Sequence, residues 1–174
     1  LLADLQQLLR EFFQAKRQAK AWPLRPDALR SPEAGFADWP QTPASRYTQD
    51  LPALAGLRMH YWDSLVAGEA EPADGRPSYL CLHEGQGWSQ DFADFFAQHS
   101  AAARVLVPDL PGFGRSDKPK KWPAQSAGAY WLQLLPAFVQ ELAPQAAQTG
   151  RLQLVLSGQS HPLAAPLQQA LAPR

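Results

Sequence analysis

Hydrophobic positions divide the chain into three stretches with different patterns. Within residues 1–20, leucine and phenylalanine recur at helical spacing, and basic residues follow at the end, where they suit the helix dipole. This pattern predicts an amphipathic helix packed on the domain; a partner-binding or membrane-surface helix is the alternative. Residues 21–50 are rich in proline and predict an extended arm over the domain, anchored by Phe36, Trp39 and Tyr47.

Residues 51–174 alternate between apolar runs typical of strands and amphipathic segments typical of helices. The predicted strands cover residues 57–62, 78–83, 104–108 and 152–156. The predicted helices cover residues 89–99, with Ser89 as the cap, residues 127–142, and a segment that starts near residue 160. Because strands that alternate with helices are joined by right-handed crossovers into parallel sheets, we expect an α/β domain.

Composition and charge narrow the classes of function. Sixteen Lys and Arg residues balance sixteen Asp and Glu residues, so the chain lacks the basic excess of a nucleic-acid-binding protein. No apolar run approaches the roughly 20 residues of a membrane span. The single cysteine, Cys81, lies in an apolar run and predicts a buried small residue in a reducing, cytoplasmic setting. The four histidines lack metal-ligand spacing and no phosphate loop is present, so we expect neither metal nor cofactor.

The predicted strand ends carry the candidate chemistry, because ligands of open parallel sheets bind outside the carboxyl ends of the strands. The strand over 152–156 runs into Ser157-Gly158-Gln159-Ser160-His161-Pro162. This segment is close to the Gly-x-Ser-x-Gly nucleophile elbow, which makes Ser160 the candidate nucleophile; a plain helix cap is the alternative. The strand over 78–83 runs into a glycine-containing loop, residues 84–88, whose backbone N–H groups could serve an oxyanion hole or simply form a turn.

The strand over 104–108 continues into the most specific motif, Pro108-Asp109-Leu110-Pro111-Gly112-Phe113-Gly114-Arg115-Ser116-Asp117-Lys118-Pro119. This loop closely resembles that of haloalkane dehalogenases and their epoxide hydrolase relatives in the α/β-hydrolase superfamily. Residues 56–63 and 80–89 extend the resemblance, which covers about residues 30–174. It implies the amino-terminal half of an α/β-hydrolase fold, with a mostly parallel sheet of about five strands, flanking helices and no cap domain.

The resemblance also implies roles for individual residues. Ser160 occupies the nucleophile position, where dehalogenases and epoxide hydrolases use Asp and where esterases, lipases and peroxidases of the fold use Ser. Gly85 and His161 occupy the positions of the oxyanion or halide contacts. We expect His83 and Trp88 on the substrate side, with a small apolar molecule as the substrate.

Several residues depart from the family pattern. Glu84 replaces a glycine, Gln86 replaces a proline, and Pro162 replaces the last glycine of the elbow. Pro136 and Pro166 fall inside predicted helices, where an interior proline costs roughly 3 kcal/mol. These departures favour a degenerate site.

The catalytic acid and histidine should follow the nucleophile along the chain. The 14 residues after Ser160 contain no carboxylate, and their one histidine is the adjacent His161. We therefore expect a chain that stops after the nucleophile position, is inactive alone, and leaves the strand over 152–156 as an open edge that invites pairing with a second chain or copy. The alternatives are a degenerate, non-catalytic binding protein and a serine esterase-like hydrolase completed by missing sequence.

Overall fold

A five-stranded mixed sheet forms the centre of the computed structural model, which describes residues 22–39, 43–71, 75–158 and 162–172. The strands are β1 (Ala28–Leu29), β2 (Arg46–Thr48), β3 (Met59–Asp63), β4 (Ser78–Leu82), β5 (Arg104–Pro108), β6 (Lys118–Pro119) and β7 (Leu152–Leu156). The helices are α1 (Ala93–His99), α2 (Ala127–Leu142), α3 (Pro144–Gln148) and α4 (Ala164–Ala170). The helix predicted over residues 1–20 lies outside the described residues, as do Ser160 and His161.

The main sheet has the strand order β2-β3-β5-β4-β7. Strand β4 lies between β5 and β7 and pairs in parallel with both. Strand β3 lies between β2 and β5 and pairs antiparallel with both. The predicted α/β class and five-strand sheet are confirmed, and the parallel part is its three-stranded half. Within the described residues, β7 has one strand neighbour, β4, so it is an edge.

Alternating side chains of the central strands pack into two apolar layers, one on each face of the sheet. In β5, Leu106 faces a core shared with Leu134 and Phe138 of α2. Its neighbours Val105 and Val107 face the opposite layer, which α1 covers. Because both faces of β5 are buried, its sequence is a continuous apolar run rather than an alternating one.

The segment after β4 begins differently from the prediction. Ser89 is not a helix cap: residues 89–92 form a 3-10 turn that precedes α1, and Trp88 holds the cap position without a side-chain bond. The backbone N–H of Ser89 instead donates to the buried carboxylate of Asp109 at 2.7 Å. That long-range bond, which local sequence does not reveal, fixes the start of the turn.

The two prolines predicted inside helices differ in position. Pro136 lies in the interior of α2, as predicted. Helix α4 begins at Ala164 rather than near residue 160, so Pro166 is its third residue. The first four N–H groups of a helix have no helical partner, so the predicted cost of an interior proline does not apply to Pro166.

The segment expected to be an irregular arm contains two short strands. Strand β1 pairs antiparallel with β6, and β2 forms the outer edge of the main sheet beside β3. Arg30 makes a two-pronged ion pair with the buried Asp117, at 2.7 and 2.9 Å. The arm is therefore fixed to the loop that follows β5. None of the described helices is long and apolar enough to cross a membrane.

Candidate active site

The carboxyl ends of β4, β5 and β7 lie at the same edge of the sheet, because these strands are parallel. Beyond that edge, the backbone N–H of Glu84 donates to Ser157 Oγ at 2.8 Å and joins the loops after β4 and β7. The Glu84 carboxylate lies against Gly158, where a Cβ would collide with it. Gly158 has φ 114°, a left-handed conformation that glycine adopts without strain. The loop after β4 therefore contacts the first glycine of the predicted elbow.

Asp109, at the end of β5, organises the neighbouring loop. Its buried carboxylate accepts hydrogen bonds from the backbone N–H groups of Ser89 and Arg115, both at 2.7 Å, and from His60 Nδ1 at 2.8 Å. Burial raises the pKa of this carboxyl, but the bonds from His60, Arg115 and Ser89 outweigh it and leave the pKa below its usual range. Asp109 is therefore an ionised carboxylate that holds three segments together.

His83 also holds the loop that follows β5. The side chain is 1% exposed, and Nε2 accepts a hydrogen bond from the backbone N–H of Leu110 at 3.0 Å. Since Nε2 is an acceptor, the proton of this neutral ring is on Nδ1. Phe113 packs edge-on against the ring, with the centroids 5.3 Å apart. His83 thus forms part of the site wall.

A cavity of about 300 Å³ lies between the arm and the loops at the carboxyl ends of β4 and β5. Trp88 lines it and packs against two aromatic rings of the arm, Phe36 at 5.0 Å and Trp39 at 5.6 Å between centroids. The complete lining consists of Ser31, Gly35, Phe36, Trp39, Gln86, Gly87, Trp88, Phe113, Gly114 and Lys118. This volume is at the small end of ligand pockets.

The ammonium group of Lys118, which lines this cavity, is hydrogen-bonded to the loop after β5. Lys118 Nζ donates to the carbonyl oxygens of Gly114 at 2.8 Å and Ser116 at 3.0 Å. Burial lowers the pKa of this ammonium group. Aromatic side chains and loop backbone therefore dominate the recognition surface, which suits an apolar molecule.

The sequence is similar to haloalkane dehalogenases over about half of its length. It is 40% identical over 98 residues to the haloalkane dehalogenase of Mycobacterium marinum, a match that covers 55% of this chain and 31% of that enzyme. It is 38% identical over 99 residues to that of Psychrobacter cryohalolentis, covering 52% of this chain and 29% of the enzyme. The chain thus matches less than a third of these relatives' length. No family model matches it.

Solved structures place the fold. A tetrameric haloalkane dehalogenase from Paraglaciecola agarilytica NO2 superimposes with a TM-score of 0.58 and 30% identity, over 74% of this chain and 39% of that one. An α/β hydrolase from Novosphingobium aromaticivorans superimposes with a TM-score of 0.50 and 28% identity, over 74% and 41%. The fold is that of the α/β hydrolases, and the chain is a homologue of haloalkane dehalogenases.

Within this α/β-hydrolase fold, the predicted site residues occupy three kinds of place. Trp88 lines the cavity. His83 is buried behind the loop, and Gly85 lies in the turn after β4 with φ 28°, outside the cavity lining. Ser160 and His161 are outside the described residues.

The roles of Asp109 and its partner His60 were not predicted from the sequence. Both belong to the motifs that carry the family resemblance, yet neither had a predicted function. A carboxylate at the end of an apolar strand and a histidine inside another were the available signals, because buried polar groups need partners. Their pairing could not be predicted, because they are 49 residues apart in the sequence.

Proposed function

We propose that the loops after β4, β5 and β7 form the nucleophile side of a hydrolase site. This site acts on a small apolar substrate through a covalent intermediate. The observation that carries the proposal is the aromatic cavity of about 300 Å³ beside the carboxyl ends of the parallel strands. Ligands of α/β sheets bind at this edge. Homology to haloalkane dehalogenases supports the same reaction class.

Ser160 is the proposed nucleophile, two residues after Gly158 in the elbow segment. The backbone N–H groups of Gly85 and His161 are the proposed donors to the developing oxyanion. Trp88 contributes to the substrate surface, and His83 holds the loop in place through Leu110.

The serine at position 160 favours acyl substrates over alkyl halides. A carboxylate that displaces a halide forms an ester, which water can cleave at its carbonyl carbon. A serine that displaced a halide would form an ether, which offers no carbonyl for water to attack. A serine that attacks an ester forms a new ester, and this acyl intermediate can be hydrolysed. We therefore propose an ester as the substrate class.

We further propose that the 174-residue chain does not turn over by itself. No carboxylate follows Ser160, and His161 is adjacent to it, which is a poor position for a base. General-base assistance is commonly worth about 10²–10⁴-fold in rate. Ser160 is therefore expected to add little to the background rate.

The test is hydrolysis of p-nitrophenyl acetate and of 1,2-dibromoethane by the purified chain, with Ser160→Ala as the matched control. We expect neither substrate to turn over faster with the wild-type chain than with the variant. Turnover of the acetate that disappears in Ser160→Ala would identify Ser160 as a working nucleophile and would show that a base exists within the chain.

A second candidate is a degenerate, non-catalytic member of the fold that binds a ligand or partner. The contact between the Glu84 carboxylate and Gly158 favours it, because a negative charge beside the elbow opposes formation of an oxyanion there. If charge alone suppresses acyl transfer, Glu84→Gln will raise the rate of p-nitrophenyl acetate hydrolysis above that of Ser160→Ala. An increase would count against the non-catalytic role, whereas an unchanged rate is what both that role and the missing base predict.

A further inference from the structure

A hydroxyl–imidazole–carboxylate array lies away from the elbow segment. His60 of β3 points Nδ1 at Asp109 Oδ2, 2.8 Å away, and Nε2 at Ser45 Oγ, 3.0 Å away. Both distances fall within the roughly 2.6–3.2 Å expected between a nucleophile, its base and the group that orients the base. Ser45 is exposed, whereas His60 and Asp109 are fully buried.

The hydrogen bonds suit base catalysis. Asp109 is an ionised acceptor, so His60 Nδ1 carries a proton and donates it to Oδ2. In the neutral ring, His60 Nε2 is the acceptor for the Ser45 hydroxyl. The backbone N–H groups of Ser89 and Arg115 hold the carboxylate from its other sides. The imidazole cannot turn without breaking its bonds to Asp109 and Ser45.

Strand pairing explains how the serine reaches the ring. Tyr47 of β2 lies directly opposite His60 of β3, so their side chains share one face of the sheet. Ser45 precedes Tyr47 by two residues, and residues two apart on an extended segment project to the same side. The Tyr47 ring also packs on His60, with the centroids 5.2 Å apart.

We propose that Ser45, with His60 as the base and Asp109 as the orienting carboxylate, is a nucleophile that activated esters acylate. Ser45 Oγ adds to the ester carbonyl carbon while its proton passes to His60 Nε2. The bond from that carbon to the leaving oxygen then breaks, and His60 Nε2–H returns the proton to the departing phenolate. The products are an acyl ester on Ser45 and the free phenol. The site is separate from the elbow and does not depend on the role of Ser160.

The first test is p-nitrophenyl acetate labelling of the full chain, followed by peptide mass mapping. We expect an acetyl group on Ser45 and its loss in Ser45→Ala. The matched control is the double variant Ala44→Ser with Ser45→Ala, which moves the hydroxyl by one residue along the same exposed segment and should label at least about 10²-fold more slowly. Equal labelling of that control, or no acetyl group on Ser45, overturns the proposal.

A second variant tests the base without disturbing the core. Ser45→Cys places a thiol beside His60 Nε2, while the native Cys81 is buried and its pKa is raised by burial to about 12. We expect alkylation by iodoacetamide to report a thiol pKa well below the ordinary value of about 8.5, because the imidazolium stabilises the thiolate. Ala44→Cys should titrate near the ordinary value. Identical pKa values for the two introduced thiols overturn the role of His60.

Discussion

At the scale of single residues, Asp109 shows how one buried charge determines local structure. Its carboxylate binds His60 and two backbone N–H groups from different loops, so it fixes the start of the 3-10 turn before α1 and the turn at Arg115. A buried carboxylate is tolerated only when such bonds replace its hydration. The acid–base state of Asp109 is therefore coupled to the stability of the fold.

The lowered pKa of Asp109 predicts a loss of stability in acid. In the folded chain this carboxyl titrates below its unfolded value of about 3.9, so its contribution is complete above that pH and is lost as the pH falls through the folded pKa. We expect Asp109→Asn to lower the free energy of unfolding at pH 7 by at least about 2 kcal/mol and to flatten the acid dependence. Urea denaturation between pH 3 and 7 measures both, with the exposed Asp38→Asn as control; an acid limb as steep as wild type in Asp109→Asn would contradict this.

Gly114 is the other residue that Asp109 constrains. It has φ 48°, and a Cβ there would collide with the Asp109 carboxylate, which its bonds hold in place. Gly56 also has a positive φ, of 83°, but a Cβ there would make only ordinary contact with the Arg25 side chain, at 3.5 Å. We expect Gly56→Ala to cost about 1–2 kcal/mol from backbone strain and Gly114→Ala to cost clearly more. Equal losses in thermal denaturation would show that the collision is relieved.

At the scale of elements, strong local patterns predicted the structure and long-range contacts accounted for the differences. The bounds of β5, β7 and α2 agree with the prediction, since each is a continuous apolar run or a long helical repeat. Strand β2 was not predicted, because three residues in a proline-rich segment carry too short a pattern. Helix α4 was placed too early because its first predicted turn was inferred from the elbow motif.

Helix α2 tolerates Pro136 in its interior, which predicts a stabilising substitution. The proline removes one backbone hydrogen bond and its ring opposes the carbonyl of Leu132. We expect Pro136→Ala to raise the free energy of unfolding by about 1–3 kcal/mol in chemical denaturation. Pro144→Ala, in the first turn of α3, should give no gain, because proline suits that position. A loss of stability in Pro136→Ala would mean that packing of the proline ring stabilises the fold by more than its helix-breaking effect costs.

At the scale of the whole molecule, the arm packs on the loops at the carboxyl ends of β4 and β5. Phe36 and Trp39 of the arm complete the aromatic wall that Trp88 begins, and Arg30 fixes the arm to the loop after β5. The sequence predicted the anchoring aromatic residues and the edge where the site lies. It could not predict the cavity, because its wall joins three segments that are separate in the chain, within residues 31–39, 86–88 and 113–118.

The ion pair between Arg30 and Asp117 predicts how firmly the arm is held. Asp117 is fully buried, and its carboxylate also accepts a hydrogen bond from the backbone N–H of Arg58 at 2.9 Å. Removal of Arg30 leaves this buried charge without the Arg30 cation. We expect Arg30→Ala to cost about 3 kcal/mol and to expose the arm to limited proteolysis. Arg25→Ala, which removes a partly exposed pair with Asp27 in the same arm, should cost less. Equal proteolysis of the two variants would contradict this account.

The central claim is that residue 160 is the nucleophile position of a hydrolase site for small apolar substrates. Ser160→Asp restores the nucleophile that dehalogenases use, and halide displacement by a carboxylate needs no base, whereas hydrolysis of the resulting ester does. Mass spectrometry after incubation with 1,2-dibromoethane should therefore find one bromoethyl group trapped at position 160 in Ser160→Asp and none in Ser160→Asn. An equal gain in mass for the two variants on incubation, or alkyl groups elsewhere in the chain, would contradict the proposed site.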